Sequence, residues 1–174
     1  IISTNAGLWA YNIGDTIQFT SLKPYRVIVS GRIKHYISAF GEHVIGKEVE
    51  CALKEAMEGT TIRVNEFTVA PQISPKEGLP FHEWLIEFDS EASGEPNDMD
   101  AFALKIDIAM RKQNVYYDDL IKGNVLRTLV VTKVNKNGFQ DYMKSIGKLG
   151  GQNKLPRLSN DRKIADVLNQ NKKT

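Results

Sequence analysis

Residues 147–160 read GKLGGQNKLPRLSN. Gly147, Gly150 and Gly151 give this stretch a pliable backbone, and Lys154 and Arg157 follow, with Pro156 stiffening the piece that holds them. Such an arm can bring a cation to a reacting phosphate or carboxylate and withdraw it. The motif is no P-loop and no dinucleotide fingerprint, because both need a strand before the glycines and a helix precedes these. A second candidate lies in YNIGD, Tyr11 to Asp15. A carboxylate that follows a glycine at a strand start can accept hydrogen bonds from two vicinal hydroxyls, the diol of a ribose. The third is SGRIK, where Ser30 and Gly31 interrupt a strand-like run and Arg32 and Lys34 follow. That break reads as a hinge between two bodies. From residue types alone, an ordinary surface loop or turn is the alternative at each of these places. His35, His43 and His82 show no metal-ligand spacing, and His82 beside Glu83 reads as a surface pair at a strand start. No GxSxG elbow occurs, and the single cysteine, Cys51, falls in a predicted helix as a small buried thiol.

The elements that must position these residues follow from periodicity. Asp15–Phe19 and Tyr25–Ser30 read as a hairpin across TSLKP, and HYISAF (35–40) as a further strand. Ile45, Val49, Ala52, Leu53 and Ala56 recur at helical spacing and predict a helix from Ile45 to Glu58, stopped by Gly59. In TIRVNEFTVAPQI, Ile62 and Val64 alternate with polar residues and the phase then slips at Phe67 and Val69, which predicts a bulged strand or two strand pieces. EWLIEF and RTLVVTKV read as strands. Helices are predicted over Asp98–Lys112 (core face Phe102, Ile106, Ala109, Met110), over VYYDDLIKG, and over GFQDYMKSIG, with Phe139, Tyr142, Met143 and Ile146 inward. Asn160 is the expected cap of a last helix carrying Ile164, Val167 and Leu168. Strands and helices do not alternate strictly. The fold class expected is therefore α+β: a small mixed or antiparallel sheet with helices packed on it, preceded by a β-hairpin.

The 174 residues suffice for one domain with a core, or one domain plus a remnant of another. No apolar run is long enough for a membrane span, and no signal peptide is visible. The chain opens without an initiator Met, which reads as an excised or processed piece. One cysteine excludes an internal disulfide and fits a reducing cytoplasm. Net charge is only +2, but it is unevenly spread. Phe81–Asp100 holds seven acids and no Lys or Arg, whereas Met143–Thr174 holds eight basic residues against two acids. The basic tail suggests an anionic partner: a phosphate, a nucleotide or a nucleic acid. A solvated surface of uneven charge is the alternative.

Taken in order and spacing, GLWAYNIGDTIQF, then YRVIVSGRIKHYISAFGEHVIGKEVECALKEA, then GKLGGQNKLPR resembles the acyl-adenylate-forming superfamily. Within it, the auxin-responsive acyl-acid amido synthetases are most similar, through a Q-x-K-x-P-R segment matched by Gln152, Lys154, Pro156 and Arg157. Asn12 stands where many members have Arg, and Lys34 where many have a hinge Asp. The resemblance implies a C-terminal piece of a longer ligase. Residues 1–31 would be the terminal hairpin of a large adenylating N-terminal domain absent here, and 32–174 a mobile C-terminal lid. The implied activity is ATP-dependent activation of a carboxylic acid as an acyl-adenylate, then transfer to an amine, an amino acid, with release of AMP. Lys154 would be catalytic, and Asp15, Arg32 and Tyr11 would bind the nucleotide. Mg²⁺ would arrive with ATP, held mainly by the absent domain. The implied partners are the two small-molecule substrates and the chain's own N-terminal domain, with no nucleic acid and no membrane, and the isolated piece should be inactive. Two alternatives stay open: an acyl-CoA ligase of the same superfamily, and a non-enzymatic α+β module whose basic tail binds nucleic acid.

Overall fold

A computed structural model describes residues 1–32, 36–89, 94–150 and 153–170, without the side chains of residues 31 and 32. Strand β1 (Asp15–Leu22) pairs antiparallel with β2 (Tyr25–Arg32). The hairpin is longer than predicted and its turn tighter, closing over Lys23–Pro24 through a cis peptide bond. Both of its faces are apolar and open: Ile17, Phe19, Val27, Ile28 and Val29 are all exposed.

The strand expected over 35–40 is, among the described residues, β3 (Tyr36–Ile37), paired with β4 (Val44–Ile45). The chain turns back at Gly41, whose φ of +92° favours glycine, and Glu42 Oε2 accepts the Phe40 N–H at 2.8 Å. Helix α1 (Gly46–Met57) then runs with Val49, Ala52, Leu53 and Ala56 buried, as the spacing predicted. Its start is held by Glu48, whose carboxylate accepts the Ile45 N–H at 2.9 Å. Cys51 lies at the edge of the buried stripe and is only half-buried, not the buried thiol expected.

The main sheet has the order β5 (Val64–Gln72), β6 (Phe81–Phe88), β7 (Val130–Lys133). β5 and β6 are antiparallel, and β6 and β7 are parallel. One face carries Phe67, Val69, Trp84, Ile86 and Val131 and packs on α1, α2 (Met99–Gln113) and α3 (Val115–Lys122). The other carries Ala70 and Leu85 beneath α4 (Gly138–Ser145) and α5 (Lys163–Gln170). Helices on both faces leave every residue of β6 buried, which is why its alternation was only half informative. Phe102, Ile106, Ala109 and Met110 of α2 face the core as expected. Ile146 and Val167, expected in the core, are partly exposed because α4 and α5 each cover the sheet with a single narrow stripe.

Two expectations are corrected. Asn160 does not cap α5. Its Oδ1 accepts the Ser38 N–H and its Nδ2 donates to the Tyr36 carbonyl, both at 2.9 Å, so it staples β3 to the C-terminal segment. His82 is no surface residue either. On β6 it occupies the helix-covered phase of Trp84 and Ile86, fully buried, with Nε2 2.9 Å from Glu42 Oε1 and its ring 5.2 Å from that of Tyr117. The Tyr117 hydroxyl donates to Asp107 at 2.6 Å, and burial pushes its pKa well up, so it stays a donor. Burial pushes the Glu42 carboxyl up as well. The hydrogen bonds from His82 and the loop amides, together with the charge of His82, outweigh this and hold it below the usual carboxylate value.

A carboxyl with a depressed folded pKa contributes stability above its unfolded pKa and loses it as pH falls through the folded value. In Glu42→Gln the urea midpoint should be lower than wild type at neutral pH, and the gap should narrow below about pH 4.5. A constant gap down to acid pH would remove Glu42 from the acid limb.

Candidate functional site

Between the hairpin and the sheet domain lies a broad cleft of about 1840 Å³. Asp15 borders it from β1, Lys47 and Glu50 from α1, Glu66 from β5, and Lys154 and Arg157 from the C-terminal segment. The glycine arm leads into this segment. Gly147 and Gly150 have φ of +67° and +90°, the left-handed region, so the arm's turns need residues without a Cβ.

Beyond Lys154 the chain becomes firmly held. Leu155 and Leu158 are buried, and Leu158 bridges in parallel to Val69 of β5. Val69 N donates to the Arg157 carbonyl at 2.9 Å, Ser159 N to the Val69 carbonyl at 3.0 Å, and Thr68 Oγ1 to the Pro156 carbonyl at 2.8 Å. The segment therefore acts as a short extra strand on the free edge of β5. The side chain of Arg157 is spent on structure: its guanidinium pairs with Glu66, lies 3.5 Å from Glu50, donates to the Phe67 carbonyl at 3.2 Å and sits over the Phe67 ring at 4.6 Å. Lys154 is exposed, and among the described residues it forms no ion pair. Of the arm's cations, Arg157 is thus anchored, while Lys154, like Lys148 before the glycine pair, is exposed and lines the cleft.

The bulged-strand expectation explains this geometry. The β5–β6 register shifts between Val64 and Glu66, so Asn65 is the extra residue, and Asn65 and Glu66 both border the cleft. Glu66 lies opposite Glu87, and like charges across a ladder repel. Arg157 compensates the first, and the Asn137 N–H donates to the second at 3.0 Å.

On the hairpin, Asp15 is half-buried at the first position of β1, directly opposite Arg32 in register. Asn12 shapes the approach, its Oδ1 accepting the Gly14 N–H at 2.9 Å, with Gly14 at φ +79°. Tyr11 makes a two-way backbone bridge to Ile2 (2.8 and 2.9 Å) and is exposed, away from the cleft lining. The Arg32 side chain, Lys34, His35, Gly151 and Gln152 lie outside the described residues. The structure thus brings Asp15 and Lys154 to one cleft and does not bring Tyr11 there. Among the described residues, no three His, Cys, Asp or Glu side chains cluster as metal ligands, and no helix is long and apolar enough to cross a membrane.

Fold and site define a class: a helix-covered, three-stranded α+β domain whose glycine arm carries exposed lysines into a cleft also bordered by a strand-start carboxylate. The GH3 family C-terminal domain matches residues 47–163, more than half of the chain. The chain belongs to the GH3 family, as its motifs implied. Its fold is similar to that of a GH3.15 acyl acid amido synthetase, with a TM-score of 0.75 and 19% identity over 97% of this chain and 32% of that one. It is similar also to AtGH3.15 acyl acid amido synthetase in complex with 2,4-DB, with a TM-score of 0.74 and 19% identity over 97% and 31% of the two chains. The chain thus spans about a third of the length of these relatives. No curated protein matches it.

Proposed function

We propose that the chain is the C-terminal part of an ATP-dependent ligase that activates a carboxylic acid as its acyl-adenylate and passes the acyl group to an amine, an amino acid. The observation that carries this reading is Lys154. In a GH3-family domain it is exposed, forms no ion pair among the described residues and borders the same cleft as Asp15; Lys148 shares these properties, and the Q-x-K-x-P-R match is what singles out Lys154. Residues 1–31 are read as the last hairpin of a large adenylating domain and 32–174 as its lid. The exposed apolar faces of the hairpin support that division, because a two-stranded ribbon is marginal in water without a covering partner.

The acid's carboxylate attacks the α-phosphate of ATP, forming a C–O–P linkage and expelling pyrophosphate. Two anions converge, so the barrier is largely electrostatic. Lys154 faces the gathering charge and stabilises it in the transition state. Asp15 accepts hydrogen bonds from the ribose hydroxyls, and Arg32, opposite it in register, is the second nucleotide-binding residue of this reading. The amine then attacks the acyl carbon, and AMP leaves. Mg²⁺ would come with the nucleotide and supply screening of its phosphates, held mainly by the large domain. A single cysteine and ATP-dependent chemistry fit a cytoplasmic location.

The test is acid-dependent ATP–pyrophosphate exchange by the full-length protein, which this reading requires. Within it, Asp15→Ala should raise KM for ATP by about tenfold or more, the worth of hydrogen bonds to a charged acceptor, with a smaller change in kcat. An unaltered KM for ATP would take Asp15 out of the nucleotide site.

A further inference from the structure

We infer that Arg157, held by Glu66 and Glu50, is a positioning residue that sets how far Lys154 reaches into the cleft. The inference rests on the function proposed above. Lys154 stands at a mechanical boundary: before it lies the glycine arm, and after it the chain is bonded to the edge of β5. A cation on a pliable arm reaches a fixed point only if one end is fixed, and the fixed end is three residues on, at Arg157.

The anchor has three independent parts. The backbone of Arg157 is hydrogen-bonded to Val69, its guanidinium pairs with the two carboxylates, and its flat face covers the Phe67 ring. The bulge at Asn65 is what brings Glu66 to the cleft side. Arg157 has an electrostatic effect too. Glu50 and Glu66 both line the cleft, and uncompensated they would repel an incoming triphosphate. With Nη1 bonded to Glu66 and the Phe67 carbonyl and Nε facing Glu50, Arg157 acts through Lys154 rather than as the phosphate ligand itself.

Arg157→Lys keeps the charge but loses the fork and the stacking face. Glu66→Gln loosens the anchor from the other side and leaves the arginine in place. In the full-length protein, Arg157→Lys should lower kcat of acid-dependent ATP–pyrophosphate exchange by up to about 100-fold, the penalty of a misplaced catalytic group. Glu66→Gln should lower it in the same direction by less. KM for ATP should stay within about twofold, and aminolysis of supplied acyl-adenylate should proceed at close to the wild-type rate. A purely structural role would depress both half-reactions together. Wild-type exchange in both variants would overturn the inference, as would a raised KM for ATP with unchanged kcat, the mark of a direct phosphate ligand. Should Arg157→Lys fold poorly, Glu66→Gln decides alone by the same criteria. Loss of exchange in Lys154→Ala but not in these variants would sink the anchor and spare the ligase reading. Normal exchange in Lys154→Ala would take Lys154 out of the chemistry and the anchor with it, whereas no acid-dependent exchange in the wild-type protein would sink the ligase reading itself.

Discussion

Replacing Lys154 with alanine in the full-length protein is expected to cut acid-dependent ATP–pyrophosphate exchange by about 10²–10³-fold, with the fold intact. The magnitude follows from removing one preorganised charge from a transition state in which negative charge gathers, worth about 3–4 kcal/mol. An intact fold follows because Lys154 is exposed and, among the described residues, holds no ion pair. The effect should be specific to position and not to the basic tail as a whole. Lys163 makes the control: it is exposed, opens α5 and pairs with Asp161 at 3.0 Å, outside the cleft lining. Lys163→Ala should exchange pyrophosphate at the wild-type rate. Equal losses in the two variants would mean that the tail acts through net charge, as a phosphate-attracting surface.

The second large effect is on stability. Trp84→Ala should lower the unfolding free energy by about 3–5 kcal/mol, a large share of a domain's usual 5–15. Trp84 is fully buried at the centre of β6 and stacks on Phe67, with centroids 5.7 Å apart and planes 6° apart. The sheet is covered by helices on both faces and has little room to collapse into the space left behind. Phe67 in turn underlies the Arg157 guanidinium, so the vacancy loosens the anchor of the cation arm as well. Urea unfolding measures the loss. A cost below about 1 kcal/mol would mean that the layers repack freely around β6.

Residues legible in the sequence were those whose roles are local. The α1 stripe, the hairpin, the slip in β5 and the glycines flanking the arm each announce themselves through spacing or backbone demand. The family was legible because its motifs keep their order along the chain. What stayed hidden depends on contacts far apart in sequence. His82 looked like a surface partner of Glu83, since nothing nearby shows that Glu42, forty residues earlier, is folded beneath it. Asn160 looked like a helix cap because Ser38 and Tyr36, which it binds, are more than a hundred residues away. Glu83 itself lies on the opposite face of β6, where Arg162 holds it at 2.6 Å. Lys154 and Arg157 read as a matched pair of cations. Only the fold separates them, by seating Arg157 between carboxylates from α1 and β5.

The central claim is tested most directly by product analysis of the full-length protein supplied with ATP, a panel of carboxylic acids, and either amino acids or coenzyme A. The account predicts AMP, pyrophosphate and an acyl amide in equal amounts, formed only when acid and amino acid are both present. A thioester with coenzyme A in place of the amide, or cleavage of ATP to ADP and phosphate, would contradict it.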